Sequence, residues 1–158
     1  MYQRIFVPVD GGPISRVGLD EAVALARFTK GRIHLMHVVD DLPILAEGGE
    51  AFVTPTTDII EMADEGGKQI LAAAQASVQQ SGVECDVKMR RTTRGKIYEQ
   101  ILQEAKEWKA DLIVLGTHGR TGAERLLLGS DAEQVARHTD VPVLLVRQKD
   151  ADTNETKG

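Results

Sequence analysis

The sequence contains a single cysteine, no long apolar run and no block of basic residues. Cys85 has no second cysteine for an internal disulfide, and its place in a strand-like run indicates a packing residue rather than a nucleophile. The apolar runs are far shorter than the roughly 18 residues of a membrane span. Residues 1–4 lead directly into a strand, without the longer apolar segment of a signal peptide. We therefore expect a cytoplasmic protein without a membrane partner.

The net charge and the positions of the histidines argue against a nucleic-acid partner and against a metal site. The formal net charge is −5, whereas binding to nucleic-acid phosphates requires a basic face, so we expect neither DNA nor RNA as a partner. The four histidines are scattered without the spacing of a metal site. At 158 residues, 42% hydrophobic and 27% charged, the composition predicts one globular domain over residues 1–147 and a polar, disordered tail over residues 148–158.

Short apolar segments alternate with segments of helical periodicity. Ile5–Val9 is predicted as the first strand, and apolar residues from Leu19 to Ala26 recur at the spacing of a helix from about residue 15 to residue 28. The alternation predicts an α/β fold, namely an open five-stranded parallel sheet with helices on both faces. We take the strand order to be 3-2-1-4-5, an order in which such sheets are commonly wound. The other predicted strands are Arg32–Val39, Cys85–Arg91, Leu112–Leu115 and Val141–Val146, and the other predicted helices are Asp58–Gln80, Ile97–Trp108 and the segment after Ser130.

Two features of this predicted sheet lie at one end of it. Pro8 is inside the first strand, where it removes a ladder hydrogen bond, and such violations tend to mark functional places. In this strand order the first and fourth strands flank the switch point, and ligands bind there beyond the carboxyl ends of the strands. Asp10, in the turn after the first strand, is therefore either a cap for the next helix or a ligand contact.

Three further interpretations concern connections and packing. Residues 40–57 have two prolines, a glycine pair and no periodicity, and are predicted to form a lid or mobile loop. Gly66-Gly67 is a place where the second helix can break. Trp108 is interpreted as a core anchor.

The most informative stretch is DLIVLGTHGRTGAERLLLGS at residues 111–130. Its apolar run predicts a strand that is buried on both faces and stops at Gly116, and Gly129-Ser130 opens the next helix. Glycines let backbone N–H groups approach an anion, and a helix N-terminus adds unpaired N–H groups and a positive dipole end. Positive charge or further donors nearby come from His118, Arg120 and Arg125.

The complete pattern, G-x-x-G-x₉-G-S after a buried strand, resembles the nucleotide-binding motif of the universal stress protein family, although Ser130 with Glu133 alone would equally fit a capping box. The resemblance extends from RIFVPVD at residues 4–10 to PVLLVR at residues 142–147. It implies a Rossmann-like fold of the adenine nucleotide alpha hydrolase type and a site for ATP, ADP or AMP, with Mg²⁺ as an optional companion of the nucleotide. The nucleotide-binding residues expected from it are Pro8, Val9, Asp10, Val38, Val39, Gly116, His118, Gly119, Arg120, Gly129, Ser130, Asp131 and Ala132.

The resemblance also implies which of these residues contact each part of the nucleotide. Residues 8–10 would lie along the nucleoside, backbone groups near Val38 and Val39 would read the base, and the glycine motif would surround ribose and phosphates. The apolar last strand, residues 141–146, would join two copies in a homodimer. The expected role is stress-response regulation through nucleotide-dependent conformation or contact with an unidentified protein partner.

Three other readings compete with this one. A phospho-receiver domain is indicated by VVDD at residues 38–41, but the comparable central strand ends in Gly116 rather than in an acid. A transferase lacks a Walker lysine, paired carboxylates and an H-x-G-H motif, so we expect no turnover beyond slow ATP hydrolysis or autophosphorylation. A third reading is a family member that acts only through protein contacts, because Asp131 departs from the small or apolar residue usual in the family after Gly-Ser.

Overall fold

The computed structural model describes residues 1–41, 57–117 and 129–148. The predicted loop at residues 40–57 lies outside these residues except at its two ends, and so does the predicted tail beyond Gln148. Strands and helices alternate along the described chain as β1 (Arg4–Pro8), α1 (Pro13–Thr29), β2 (Arg32–Asp40), α2 (Thr57–Gln80), β3 (Cys85–Thr92), α3 (Ile97–Glu107), β4 (Leu112–Thr117), α4 (Ser130–His138) and β5 (Val143–Arg147).

The five strands form one parallel sheet in the order β3-β2-β1-β4-β5. The predicted fold class and strand order are thereby confirmed. Because all strands run in the same direction, their carboxyl ends share one edge of the sheet, and β1 and β4 meet at its centre.

The core lies on both faces of the sheet. Val7 faces α1 and α2, whereas its neighbour Phe6 faces α3 and α4, as the two-residue period of a strand requires. Both side chains are almost completely buried, and burial of such a side chain stabilises the fold by about 1.5–3 kcal/mol. Cys85 packs against the α1 and α2 side, and burial raises the pKa of its thiol to about 11.

Helix α1 begins earlier than predicted. Pro13 is its first residue, where the fixed φ of proline suits a helix and its missing N–H costs nothing. At the other end Lys30 takes the left-handed conformation with φ 56°. The next residue, Gly31, is small because a Cβ there would lie 2.9 Å from the carbonyl oxygen of Tyr2.

The expected break at Gly66-Gly67 is wrong, since α2 runs without interruption through both residues. Gly67 is buried against the sheet, and a Cβ on it would lie 2.9 Å from the Met89 sulfur and 3.0 Å from the His37 ring. The close packing that Gly67 permits offsets the roughly 1 kcal/mol by which glycine disfavours a helix.

The last two strands also differ from their predicted bounds. Strand β4 continues past Gly116 to Thr117, because both residues pair with β5. Strand β5 begins at Val143 rather than at Val141, whose N–H donates to the Thr139 hydroxyl at 3.0 Å and so belongs to a turn.

A buried polar network lies between the sheet and α3. The His34 Nε2 atom is 2.9 Å from one Glu104 carboxylate oxygen, and Arg90 donates to the other oxygen at 2.6 Å. Trp108 stacks on the His34 ring with 4.9 Å between centroids, in agreement with its interpretation as an anchor. Burial lowers the pKa of His34, although its hydrogen bond to Glu104 acts in the opposite direction. Burial alone would raise the pKa of Glu104, but the hydrogen bonds from Arg90 and His34 outweigh it, so the pKa of Glu104 is lowered.

Within the described residues, no helix has the length and apolar character needed to cross a membrane. The same part of the chain places no three His, Cys, Asp or Glu side chains where they would hold a metal ion together.

Candidate functional site

A cleft of roughly 560 Å³ opens where β1 and β4 part, a volume typical of small-molecule sites. The two strands pair only at Ile5 with Leu112 and at Phe6 with Ile113. Beyond that point β1 continues beside β2 as far as Pro8, and β4 continues beside β5 as far as Thr117. The parting of the two central strands creates the cleft at the switch in strand order.

The position of Pro8 explains why proline is tolerated in a central strand. The Val9 N–H donates to the Met36 carbonyl of β2 at 2.8 Å, and successive residues of a strand direct their N–H groups to opposite neighbours. The missing N–H of Pro8 would therefore face β4, where pairing has already ended. The proline that is unusual in a central strand thus lies at the point where β1 and β4 separate.

Most of the predicted site residues line the cleft, whereas the side chain of one of them points away from it. Val39 lies on the opposite face of β2, where its side chain approaches Gly67 of α2. His118, Gly119 and Arg120 lie outside the described residues. The predicted residues that line the cleft are Pro8, Val9, Asp10, Val38, Gly116, Gly129, Ser130, Asp131 and Ala132.

Several residues that line the cleft were not predicted from the sequence as site residues. Met36 shares a face of β2 with Val38, so the two-residue period of that strand could have identified it. Ile97 and Ile101 belong to α3, whose proximity depends on tertiary packing rather than on local pattern. The lining residues that were not predicted are Gly12, Pro13, Ile14, Ser15, Met36, Ile97, Ile101 and Leu115.

Asp10 shapes the turn that leads into α1. One of its carboxylate oxygens accepts a hydrogen bond from the Gly12 N–H at 2.8 Å, and its own N–H donates to the Ser15 hydroxyl at 3.2 Å. This is the Asx-type turn that aspartate makes before a helix. Asp10 is exposed and lines the cleft, so it shapes the turn and also faces the space that a ligand would enter.

Gly116 is in contact with the first turn of α1. A Cβ on Gly116 would lie 2.7 Å from the Ile14 carbonyl carbon and closer still to its oxygen. A Cβ on Gly18, one turn further along α1, would lie 2.9 Å from the Gly116 nitrogen. The absence of side chains at these two glycines lets α1 press on β4, which holds the N-terminus of α1 beside the cleft.

Helix α4 begins at the cleft without a side-chain cap. Gly129 is its N-cap residue, and Ser130 is the first helical residue, so the capping-box reading of Ser130 with Glu133 is wrong. Asp131 accepts a hydrogen bond from the Tyr98 N–H at 3.3 Å, which links α4 to the first turn of α3. Three helices, α1, α3 and α4, thus begin around the cleft.

The cleft has two chemically distinct parts. Its apolar wall comes from both layers, the strand residues Met36, Val38 and Leu115 and the α3 residues Ile97 and Ile101. Its polar rim consists of Asp10, Ser15 and the start of α4, where the first N–H groups have no partner within the helix and the helix dipole is positive. Such an arrangement suits a ligand with a flat apolar portion and an anionic or hydroxyl-bearing portion.

An open parallel sheet with a cleft at the switch in strand order defines the class of α/β proteins that bind small ligands at the carboxyl ends of their strands. The model of the universal stress protein family matches residues 1–147, and the chain belongs to that family.

Relatives of known sequence and structure agree with this assignment. The chain is 32% identical over 151 residues to a universal stress protein of Methanocaldococcus jannaschii, covering 94% of this chain and 84% of that protein. A family protein of Burkholderia pseudomallei has a similar crystal structure, with 28% identity, a TM-score of 0.71 and coverage of 92% and 96%. An Arabidopsis thaliana family protein solved with AMP bound has the same fold, with 18% identity, a TM-score of 0.67 and coverage of 98% and 97%.

Proposed function

We propose that the cleft binds an adenine nucleotide and that the protein is a stress-response regulator whose conformation or partner affinity changes on binding. The observation that carries this proposal is the division of the cleft into an apolar wall and a rim of helix N-termini. A purine has flat apolar faces and a phosphate is an anion, so the two halves of a nucleotide match the two parts of the cleft. The AMP found in the Arabidopsis family protein supports the same class of ligand.

Each part of the ligand has an assigned place in this proposal. The base packs on Met36 and Val38, and backbone groups at the end of β2 read its edge. The ribose hydroxyls donate to the Asp10 oxygen that does not accept the Gly12 N–H. The phosphates lie at the backbone N–H groups of Gly129 and Ser130 at the start of α4, and Mg²⁺ accompanies a triphosphate. The proposed output is binding-dependent regulation in the cytoplasm rather than turnover of a metabolite.

We also propose that two copies join through β5. This strand is an edge of the sheet, and an uncovered apolar edge promotes aggregation unless another chain pairs with it. Leu145 is 39% exposed on that strand. Edge-to-edge pairing of two copies would cover Leu145 and satisfy the unpaired backbone groups of β5.

Calorimetric titration with AMP and ATP tests the nucleotide site through Gly129→Val. The backbone at Gly129 has φ −54° and ψ 143°, which valine adopts without strain. The added branches would crowd the N–H groups at the start of α4, so we expect at least about a tenfold loss of affinity, equivalent to about 1.4 kcal/mol.

Ala136→Val, on the exposed part of the same helix, is the matched control and should bind as the parent protein does. Thermal unfolding of both variants checks that the fold is retained. Equal nucleotide affinity in a folded Gly129→Val variant would place the phosphates elsewhere, and no binding by the parent protein would favour a role through protein contacts alone.

A further inference from the structure

The Asp131 side chain already occupies part of the rim where phosphates would bind. It lies in the first turn of α4, lines the cleft and accepts the Tyr98 N–H from the first turn of α3. The Tyr98 N–H, at the start of α3, is therefore paired with a carboxylate of the protein itself. The bond also fixes the direction of this carboxylate, because it joins two helices that are packed on the same face of the sheet.

The ionisable side chains among the described lining residues of the cleft are acidic. Among the described residues that line the cleft, Asp10 and Asp131 are the ionisable ones, and neither lysine, arginine nor histidine accompanies them. Burial raises the pKa of Asp131, the Tyr98 N–H opposes that shift, and the nearby Asp40 carboxylate adds to it. The ionised form of Asp131 is thus less favourable here than in water, as expected where water and compensating charge are scarce.

We propose that Asp131 is a specificity-determining residue that limits the phosphate charge the cleft accepts, so that AMP binds more tightly than metal-free ATP. This inference rests on the proposed nucleotide site. Every additional phosphate brings further negative charge toward the Asp131 carboxylate, and in a partly desolvated cleft such repulsion is less screened than in bulk water. A divalent cation such as Mg²⁺ bound to the triphosphate reduces that repulsion.

The decisive variant is Asp131→Asn, because asparagine keeps the shape and the carbonyl acceptor for the Tyr98 N–H and removes only the charge. Glu133→Gln is the matched control. Glu133 also lies in the first turn of α4, but it is exposed and pairs with Arg137 at 2.6 Å. Both substitutions remove one negative charge from the same helix turn, so they separate the local effect at the cleft from a change in net charge.

Calorimetric titration of the three proteins with adenosine, AMP and ATP, each with and without Mg²⁺, tests the inference. We expect Asp131→Asn to raise metal-free ATP affinity by at least about tenfold, to raise AMP affinity less and to leave adenosine affinity unchanged. Mg²⁺ should strengthen ATP binding more in the parent protein than in Asp131→Asn. Glu133→Gln should match the parent protein with every ligand.

Two negative results would have different meanings. If AMP binds but Asp131→Asn leaves the ratio of ATP to AMP affinity unchanged, the specificity role of Asp131 is wrong and the nucleotide site stands. If adenosine, AMP and ATP all fail to bind the parent protein and both variants, with and without Mg²⁺, the proposed function fails and this inference fails with it. A gain of ATP affinity in Glu133→Gln equal to that in Asp131→Asn would assign the effect to net charge.

Discussion

At the scale of single residues, the glycines of this chain have more than one reason to be glycine. The sequence motif attributes Gly116 to the approach of a phosphate, whereas the structure shows that a side chain there would collide with the Ile14 carbonyl of α1. Gly67 likewise permits close packing on β2 and β3 and does not break the helix. Glycines in such a motif can therefore be required for the packing of helices and strands around the cleft as well as for the approach of a ligand.

This packing role predicts that Gly116→Ala destabilises the fold. The new methyl group would press on backbone atoms of α1 that cannot rotate away, and overpacking of this kind costs about 1–3 kcal/mol. Urea denaturation measures the free energy of unfolding.

Gly66→Ala is the matched control, because a Cβ at Gly66 would have nothing within 4 Å and alanine favours a helix by about 0.5–1 kcal/mol. We expect that control to be more stable than the parent protein. A Gly116→Ala variant as stable as the parent protein would show that α1 does not press on β4 as described.

At the scale of elements, the divergence of β1 and β4 is what turns a continuous sheet into a binding site. Their pairing ends at Phe6 and Ile113, while the outer pairings continue. Pro8 lies beyond the last pair of β1 with β4, so its missing N–H removes no hydrogen bond between these two strands. The bounds of β4 and β5 were predicted less well, because the pairing of Gly116 and Thr117 with β5 is a long-range contact that no local pattern records.

The two edge strands give a direct test of the proposed dimer. Leu145→Lys on β5 should yield a monomer in sedimentation experiments, because the interface would have to bury the new charge. Val87→Lys on β3, the opposite edge, is the matched control, since Val87 is 40% exposed and Leu145 is 39% exposed. The control should remain dimeric. Loss of the dimer in Val87→Lys but not in Leu145→Lys would move the interface to the other edge.

At the scale of the whole molecule, the alternation of strands and helices was sufficient to predict the class of fold, whereas the strand order was an added assumption that the structure confirms. The same pattern located the cleft, because the carboxyl ends of the central strands must meet. It could not locate the α3 side of the cleft, since Ile97 and Ile101 reach it only through tertiary packing. The direction of the Asp131 carboxylate was also beyond the sequence, because its partner, Tyr98, is distant along the chain.

An AMP titration followed by two-dimensional ¹H–¹⁵N NMR tests whether an adenine nucleotide binds between β1 and β4. We expect saturable shifts of the Val38, Gly116 and Ser130 amides, whose residues line the cleft. The amide of Lys88 on β3 should not move. Nucleotide binding in the cleft would be contradicted if millimolar AMP shifted no amide, or if the shifts were confined to the neighbouring groove between α1 and α2, at residues such as Gly66, Ile70 and Ala73 that do not line the cleft.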